Sequence, residues 1–150
     1  MSGKLSVLFD RTFGRRSYKI HRFLYRHTGG FIGHRSPQGP MLLLTTTGRT
    51  SGLARTTPLL YMPDGLRFIV VASNGGREQT PAWLLNLATK PEAELQVGRR
   101  IIPVTAEILD DDAKAKVWPR LLDQYKGWKH YQTLTDRDLK VVAFEPVTDE

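Results

Sequence analysis

The chain has 150 residues and no cysteine, which excludes a disulfide scaffold, a cysteine nucleophile, thiolate zinc sites and thiol-ligated iron–sulfur centres. It has no apolar run near the roughly 20 residues that a membrane-crossing helix needs. The opening MSGKLSVLFDRTFGRR shows neither the apolar centre nor the small-residue cleavage site of a secretory signal. A cytoplasmic protein is expected. The four histidines (His21, His27, His34, His130) fall at no paired ligand spacing and HExxH is absent, so no metal is expected. Ser51 and Ser73 lie in neither a GxSxG nor an SxxK motif, and no pair of carboxylates is placed for acid–base work. The phosphate-loop patterns GxxxxGK[ST] and GxGxxG are also missing, as are internal repeats.

What the chain does have is an uneven charge. Residues 1–35 carry eight Lys or Arg against Asp10 alone, a surplus equal to the whole formal net charge of +7. Residues 16–27, RSYKIHRFLYRH, set Ile20, Phe23, Leu24 and His27 at helical spacing with basic residues elsewhere on the wheel. The expected organisation is a basic amphipathic helix and linker over 1–35, then one domain over 36–150. The front helix is a candidate for peripheral contact with an anionic membrane through residues 1–27, or for docking on its own domain. No nucleic-acid partner is expected: no recognition motif accompanies the charge, and aromatics are not interleaved with the basic residues.

Beyond the linker the texture is β. MLLLTTT (41–47), ARTTPLLYM (54–62), GLRFIVVAS (65–73), AELQV (93–97), IIPVTAEIL (101–109) and LKVVAFEP (139–146) predict six strands. Pro63-Asp64-Gly65 and Gly98-Arg99-Arg100 predict hairpins joining 54–62 to 65–73 and 93–97 to 101–109. Thr80-Pro81 predicts the cap and first position of a helix, and Asp110–Asp112 the start of another that contains Pro119, a kink or late-start signal. Hairpins without alternating βαβ units predict a mainly β (α+β) fold: a six-stranded antiparallel split barrel with an N-terminal helix and two further helices.

Three clusters carry candidate chemistry. TTTGRTSGLARTTP (45–58) combines glycines that admit close backbone approach, hydroxyls that donate, and two guanidiniums, Arg49 and Arg55. It reads as an anion cradle or as a polar turn with its arginines in water. VVASNGG (70–76) suits a flat ring lying against backbone, or an ordinary strand-to-helix connection; Trp83 is a cover for such a ring or a core residue. Trp118, Tyr125, Trp128, His130 and Tyr131 suit an apolar substrate wall with a proton donor, or helix packing.

LLLTTTGRTSGLARTTPLLY, VVASNGG, PAWLLNL, VWPRLLDQY and YQTLTDRDLKVVAFEP, in that order, resemble the deazaflavin-dependent nitroreductase family of actinobacterial oxidoreductases, from about Tyr25 to Pro146. The resemblance implies a split β-barrel that binds reduced coenzyme F420, a deazaflavin with a lactyl-phosphate and oligoglutamate tail. Members pass a hydride to quinones, nitroaromatics or activated alkenes. It implies that Arg49, Thr50, Ser51, Gly52, Arg55, Thr56 and Thr57 hold the tail, and that Val71, Ala72, Ser73, Asn74, Gly75 and Gly76 line the deazaflavin head. Ala82, Trp83, Leu84, Leu85 and Asn86 complete the groove, and Trp128, Tyr125 and Tyr131 form the substrate pocket, with Tyr131 or water as proton donor. Thr50 and Asn74 stand where the family usually has lysine, which lowers the expected cofactor affinity, and Trp128 stands where the prototype has tyrosine. FMN is the less favoured cofactor, and a homodimer is a candidate assembly. The alternative is a non-catalytic binding protein for an anionic or lipid-like ligand on the same barrel, held at the membrane surface.

Overall fold

The computed structural model describes residues 35–36 and 39–148. The amphipathic helix expected at 16–27, and with it most of the basic front segment, lies outside them. No described helix is long and apolar enough to cross a membrane.

Eight strands form a curled antiparallel sheet: β1 (Arg35–Ser36), β2 (Gly39–Thr47), β3 (Ala54–Leu60), β4 (Met62–Asp64), β5 (Arg67–Val71), β6 (Glu92–Val97), β7 (Arg100–Ile108) and β8 (Val141–Pro146). The order is β1-β2-β6-β7-β8-β5-β4, with β3 also paired to β2. Helices α1 (Ala82–Thr89), α2 (Asp111–Gln124) and α3 (Gly127–Thr133) and a single 3-10 turn at Asn74–Gly76 complete the described elements. The mainly β architecture is the expected one, but two strands and one helix exceed the prediction. β1 lies in the expected linker and pairs Arg35 with Pro40.

The hairpin expected between 54–62 and 65–73 is corrected. β3 pairs along its length with β2, from Ala54 opposite Thr47 to Leu60 opposite Met41. At buried Tyr61 the strand breaks: its N–H donates to the Pro40 carbonyl, and its own carbonyl accepts from Gln124 Nε2 at 2.8 Å. Only Met62–Asp64 returns along β5, closing the Pro-Asp-Gly turn as a short hairpin. The β6–β7 hairpin forms as expected, with Val97 opposite Arg100.

β5 and β8 are buried on both faces, which is why they read as unbroken apolar runs. Side chains alternate across a strand. Val70, Val142 and Phe144 therefore join one cluster with Leu42, Leu44, Leu95, Trp83 and Leu87 under α1. Ile69, Val71, Val141 and Ala143 join a second with Val117, Leu121 and Trp128 under α2 and α3. Each such side chain contributes about 1.5–3 kcal/mol of burial, so the shared central strands fix both helical layers to one sheet.

The helix ends also differ from expectation. Pro81 is extended (ψ 138°) and caps α1 from outside, its carbonyl accepting from Leu84 N–H at 3.1 Å, so Thr80 caps nothing. α2 begins at Asp111, where Asp110 accepts from the Ala113 N–H at 2.8 Å, and it runs through Pro119 without a late start.

Candidate active site

The Gly48–Leu53 turn joins β2 to β3. Gly48 N–H donates to Leu53 O and Gly52 N–H to Gly48 O, both at 2.8 Å, while Ser51 Oγ accepts from Leu53 N–H. A side chain at Gly48 would meet Ser51 Oγ at 2.6 Å and Leu53 O at 3.2 Å, so glycine there lets the serine keep its bond to Leu53 N–H. Its shape leaves an open groove of about 880 Å³ between the turn, the start of β3 and α1.

Nine of the expected cofactor residues line this groove: Arg49, Thr50, Ser51, Arg55, Thr56, Thr57, Ala82, Trp83 and Asn86. Asn86, 3% exposed, is the joint between turn and helix. Its Oδ1 accepts from both the backbone N–H and Nη1 of Arg49 at 3.1 Å, and its Nδ2 donates to buried Thr46 at 3.1 Å. Arg49 is thus held at two atoms, while Arg55 is exposed and has no ion-pair partner among the described residues. No Asp or Glu lines the groove. Two guanidiniums in a wall without a described carboxylate give this concavity forked donors of the kind that suit an anion.

The remaining expected residues lie elsewhere. Gly52 (φ +72°) shapes the turn without lining the groove. Leu84 is core and Leu85 faces solvent. Val71 and Ala72 are buried in the two core clusters, and Ser73–Gly76 leave the groove to form a separate turn on the other approach to α1. That turn has three consecutive left-handed residues, Asn74 (φ 47°), Gly75 (φ 64°) and Gly76 (φ 75°). Asn74 Nδ2 donates to Gln79 O at 2.9 Å, tying the turn to the segment that leads into α1.

α3 covers the same turn from behind, close enough that a Cβ on Gly76 would sit 2.7 Å from Tyr131 O. The hydroxyls of Tyr125 and Tyr131 are hydrogen-bonded at 2.9 Å, and both residues are half-buried. Trp128 is only 3% exposed: it packs in the second core cluster and meets the Tyr125 ring edge-on at 5.4 Å between centroids. The main chain of Tyr131 therefore lies against the turn, and the tryptophan is set in the core beside Tyr125. Gly127 leaves the Tyr125 ring room to fold against the α3 backbone.

Sequence reasoning missed Arg137. From the loop before β8 its Nη1 donates to Ala72 O at 3.1 Å, and its Nη2 donates to Ser73 O and Arg77 O at 3.0 Å. Burial pulls its pKa below the usual arginine value, with Glu78 opposing from a distance. The neighbouring Asp138 is held below the ordinary carboxylate range by its hydrogen bond from Lys114 at 2.8 Å, helped by Lys140. The only available sequence signal was a lone arginine in TDRDLK.

The family model described as F420H2-dependent quinone reductase matches residues 17–146. An F420H2-dependent quinone reductase of Mycobacterium tuberculosis is 37% identical over 143 residues, covering 93% of this chain and 96% of its own. Among solved structures, an F420H2-dependent reductase (FDR-A) is 34% identical, covers 71% of this chain and 94% of its own, and superposes with a TM-score of 0.65. A second, described as a domain-swapped dimer, is 31% identical, covers 90% of this chain and 99% of its own, and has a TM-score of 0.68. The chain belongs to the F420H2-dependent quinone reductase family.

Proposed function

We propose that the groove beside Arg49 and Arg55 takes the phosphate and acidic tail of coenzyme F420, while the Ser73–Gly76 turn and the Tyr125–Tyr131 pair receive the redox ring and its acceptor. The chain is an F420H2-dependent reductase acting on a quinone, as its family is. The comparisons give the non-catalytic alternative no support. The observation that carries the assignment of parts is the carboxylate-free groove of about 880 Å³ with two arginines in its wall. Its donor chemistry fits a phosphate and a run of glutamates, and Arg55 has no described carboxylate to give up first.

When bound, the reduced deazaflavin supplies the hydride, and a quinone that gains this hydride and one proton becomes a hydroquinone. No protein nucleophile is needed, so the chain's work is binding, orientation and exclusion of water. Arg49, fixed at two atoms by Asn86, offers a preset contact; Arg55 offers an exposed one. In the tyrosine pair the two hydroxyls are hydrogen-bonded to each other, and a phenol of this pair serves as proton donor to the acceptor. Trp128 keeps Tyr125 upright through its edge contact.

Titration with F420 followed by turnover with menadione tests this reading. Saturable binding that weakens in Arg55→Ala supports it; no binding by the wild type, or unchanged binding in the variant, overturns it. Two finer partnerships belong to the same proposal. Residues 1–27, in a basic unit 1–35 ahead of the 36–150 domain, meet anionic membrane at the inner face of the cell membrane, and vesicle co-sedimentation then falls with salt and with loss of that segment. A homodimer, in keeping with the domain-swapped relative, is checked by sedimentation velocity.

A further inference from the structure

Arg137 belongs to neither the tail groove nor the tyrosine pair, yet its guanidinium is committed to main chain: three carbonyls, those of Ala72, Ser73 and Arg77, accept from it. No carboxylate forms an ion pair with it among the described residues, and its Nε is buried without an acceptor. A partly desolvated cation whose opposing carboxylate, Glu78, acts only from beyond ion-pair range is a poor way to gain stability; an apolar side chain fills such a space without the desolvation cost. Its placement calls for another account.

The carbonyls it holds are informative. Each peptide is planar, and none in the described chain is cis. The N–H of Ser73 shares a peptide unit with Ala72 O, and the N–H of Asn74 shares one with Ser73 O. Both N–H groups therefore point away from the guanidinium. Neither donates to a described acceptor, whereas the next amides do: Gly76 N–H to Ser73 O at 2.9 Å and Arg77 N–H to Asn74 O at 3.2 Å. A cation at the oxygen end of a peptide polarises that unit and strengthens its N–H as a donor. The three left-handed residues that follow are unfavourable in isolation for Asn74 and are held from one side by Arg137 and from the other by α3.

We propose that Arg137 is a positioning residue for the redox ring: by gripping the Ala72, Ser73 and Arg77 carbonyls it locks the turn so that two polarised, unspent amides face outward. The inference rests on the reading above that puts the ring at this turn, and it assigns to Arg137 the geometry of the head as Arg49 and Arg55 set that of the tail.

Arg137→Lys and Arg137→Met separate this from a merely structural role. Both are compared with wild type by amide hydrogen exchange of residues 73–77 without cofactor, by titration with full F420 and with a deazaflavin lacking the tail, and by kcat and KM with menadione. Misplacing a reacting group by about 1 Å costs up to roughly 100-fold. Folded variants are therefore expected to exchange at Gly76 and Arg77 about tenfold faster and to lose about tenfold in tail-less head affinity and in kcat. Full-cofactor affinity falls by no more than head affinity does, since the tail contacts are untouched, and the KM for menadione stays within about threefold. Lysine restores part of what methionine loses, and it carries the test if the methionine variant does not fold. Variants that lose only thermal stability, with exchange, head affinity and kcat of the folded protein unchanged, overturn the inference and leave the functional reading standing. A wild type that binds neither probe overturns both.

Discussion

Two turns flank the approach to α1, built from the same small residues and left-handed glycines, and they end in opposite conditions. The Gly48–Leu53 turn closes on its own backbone and opens toward a groove; Gly52, at φ +72°, has nothing near the place of a side chain. The Ser73–Gly76 turn is gripped from both sides; Gly76, at φ +75°, faces Tyr131 O and Leu134 Cβ. The open turn can adapt to a long, flexible, charged tail. The clamped turn can hold a rigid ring to fractions of an ångström. On the proposed assignment, difference in support, more than difference in composition, separates the tail subsite from the ring subsite.

Replacing the two glycines gives the largest contrast. Gly52→Ala meets only the left-handed backbone penalty, about 1–2 kcal/mol. Gly76→Ala meets that penalty and a Cβ 2.7 Å from a carbonyl oxygen and 3.0 Å from a neighbouring side chain, adding roughly 1–3 kcal/mol of overpacking. Urea unfolding is expected to find Gly76→Ala less stable than Gly52→Ala by about 2 kcal/mol. Equal losses would show that the second turn is no more supported than the first.

Charge at the open turn gives the next effect. Arg55 is exposed and outside the described ion pairs, so Arg55→Ala should leave the melting temperature unchanged. A charge-assisted hydrogen bond is worth about 1.5–3 kcal/mol, so the same substitution should weaken F420 binding by roughly ten- to a hundredfold. A variant that loses stability instead would mean that the fold relies on Arg55.

How much of this contrast can be read from residues alone differs between the turns. In the first, hydroxyls, glycines and both arginines sit within fourteen consecutive residues (45–58), so local composition already admits an anion cradle beside the reading of a polar turn. In the second, the decisive group is Arg137, sixty to sixty-five positions from the carbonyls it holds. No side-chain pattern records where a backbone oxygen points. Chain order misled in the same way at 54–62: the Pro63-Asp64-Gly65 turn was correctly read, but the pairing of β3 went to β2 because a long register of seven partners outweighs a three-residue return. α3 escaped notice since seven residues with no side-chain cap leave little periodicity to detect. The hairpin β6–β7, the double-sided strands β5 and β8 and the Asp110 cap were legible because their signals are local.

Restoring the family's lysines sharpens the comparison further. Thr50 lies at the open turn, and Thr50→Lys adds a cation to the groove wall at little structural cost, for a gain of about tenfold in F420 affinity. Asn74 is different. It occupies a left-handed conformation that Asn tolerates better than Lys, and its amide holds Gln79 O while its Oδ1 accepts from Arg77. Asn74→Lys gives up those bonds, so binding titrations should show no net gain. A larger gain at 74 than at 50 would reverse the order of the two sites.

Acid offers the smallest and most selective probe. Asp138 adjoins Arg137 and receives Lys114 at 2.8 Å and Lys140 at 3.3 Å, which depress its pKa in the folded state. A carboxylate with a lowered folded pKa binds fewer protons folded than unfolded, so its contribution is present above the ordinary carboxylate pKa and fades as pH falls through the depressed value. Asp138 is half exposed, which limits the pair to about 0.5 kcal/mol, or roughly 1–2 °C in a chain of this size. Asp138→Asn should therefore melt slightly below wild type at pH 7, and the two curves should converge near pH 3. Lys114 also donates to Leu139 O at 2.7 Å, so the loop keeps one anchor when the carboxylate is protonated. The groove at Arg49 and Arg55 has no carboxylate in its wall, so of the two turns it is the clamped one that adjoins an ion pair lost in acid. A Tm difference between Asp138→Asn and wild type that persists undiminished at pH 3 would show that the side chain acts through packing and that the clamp does not depend on its charge.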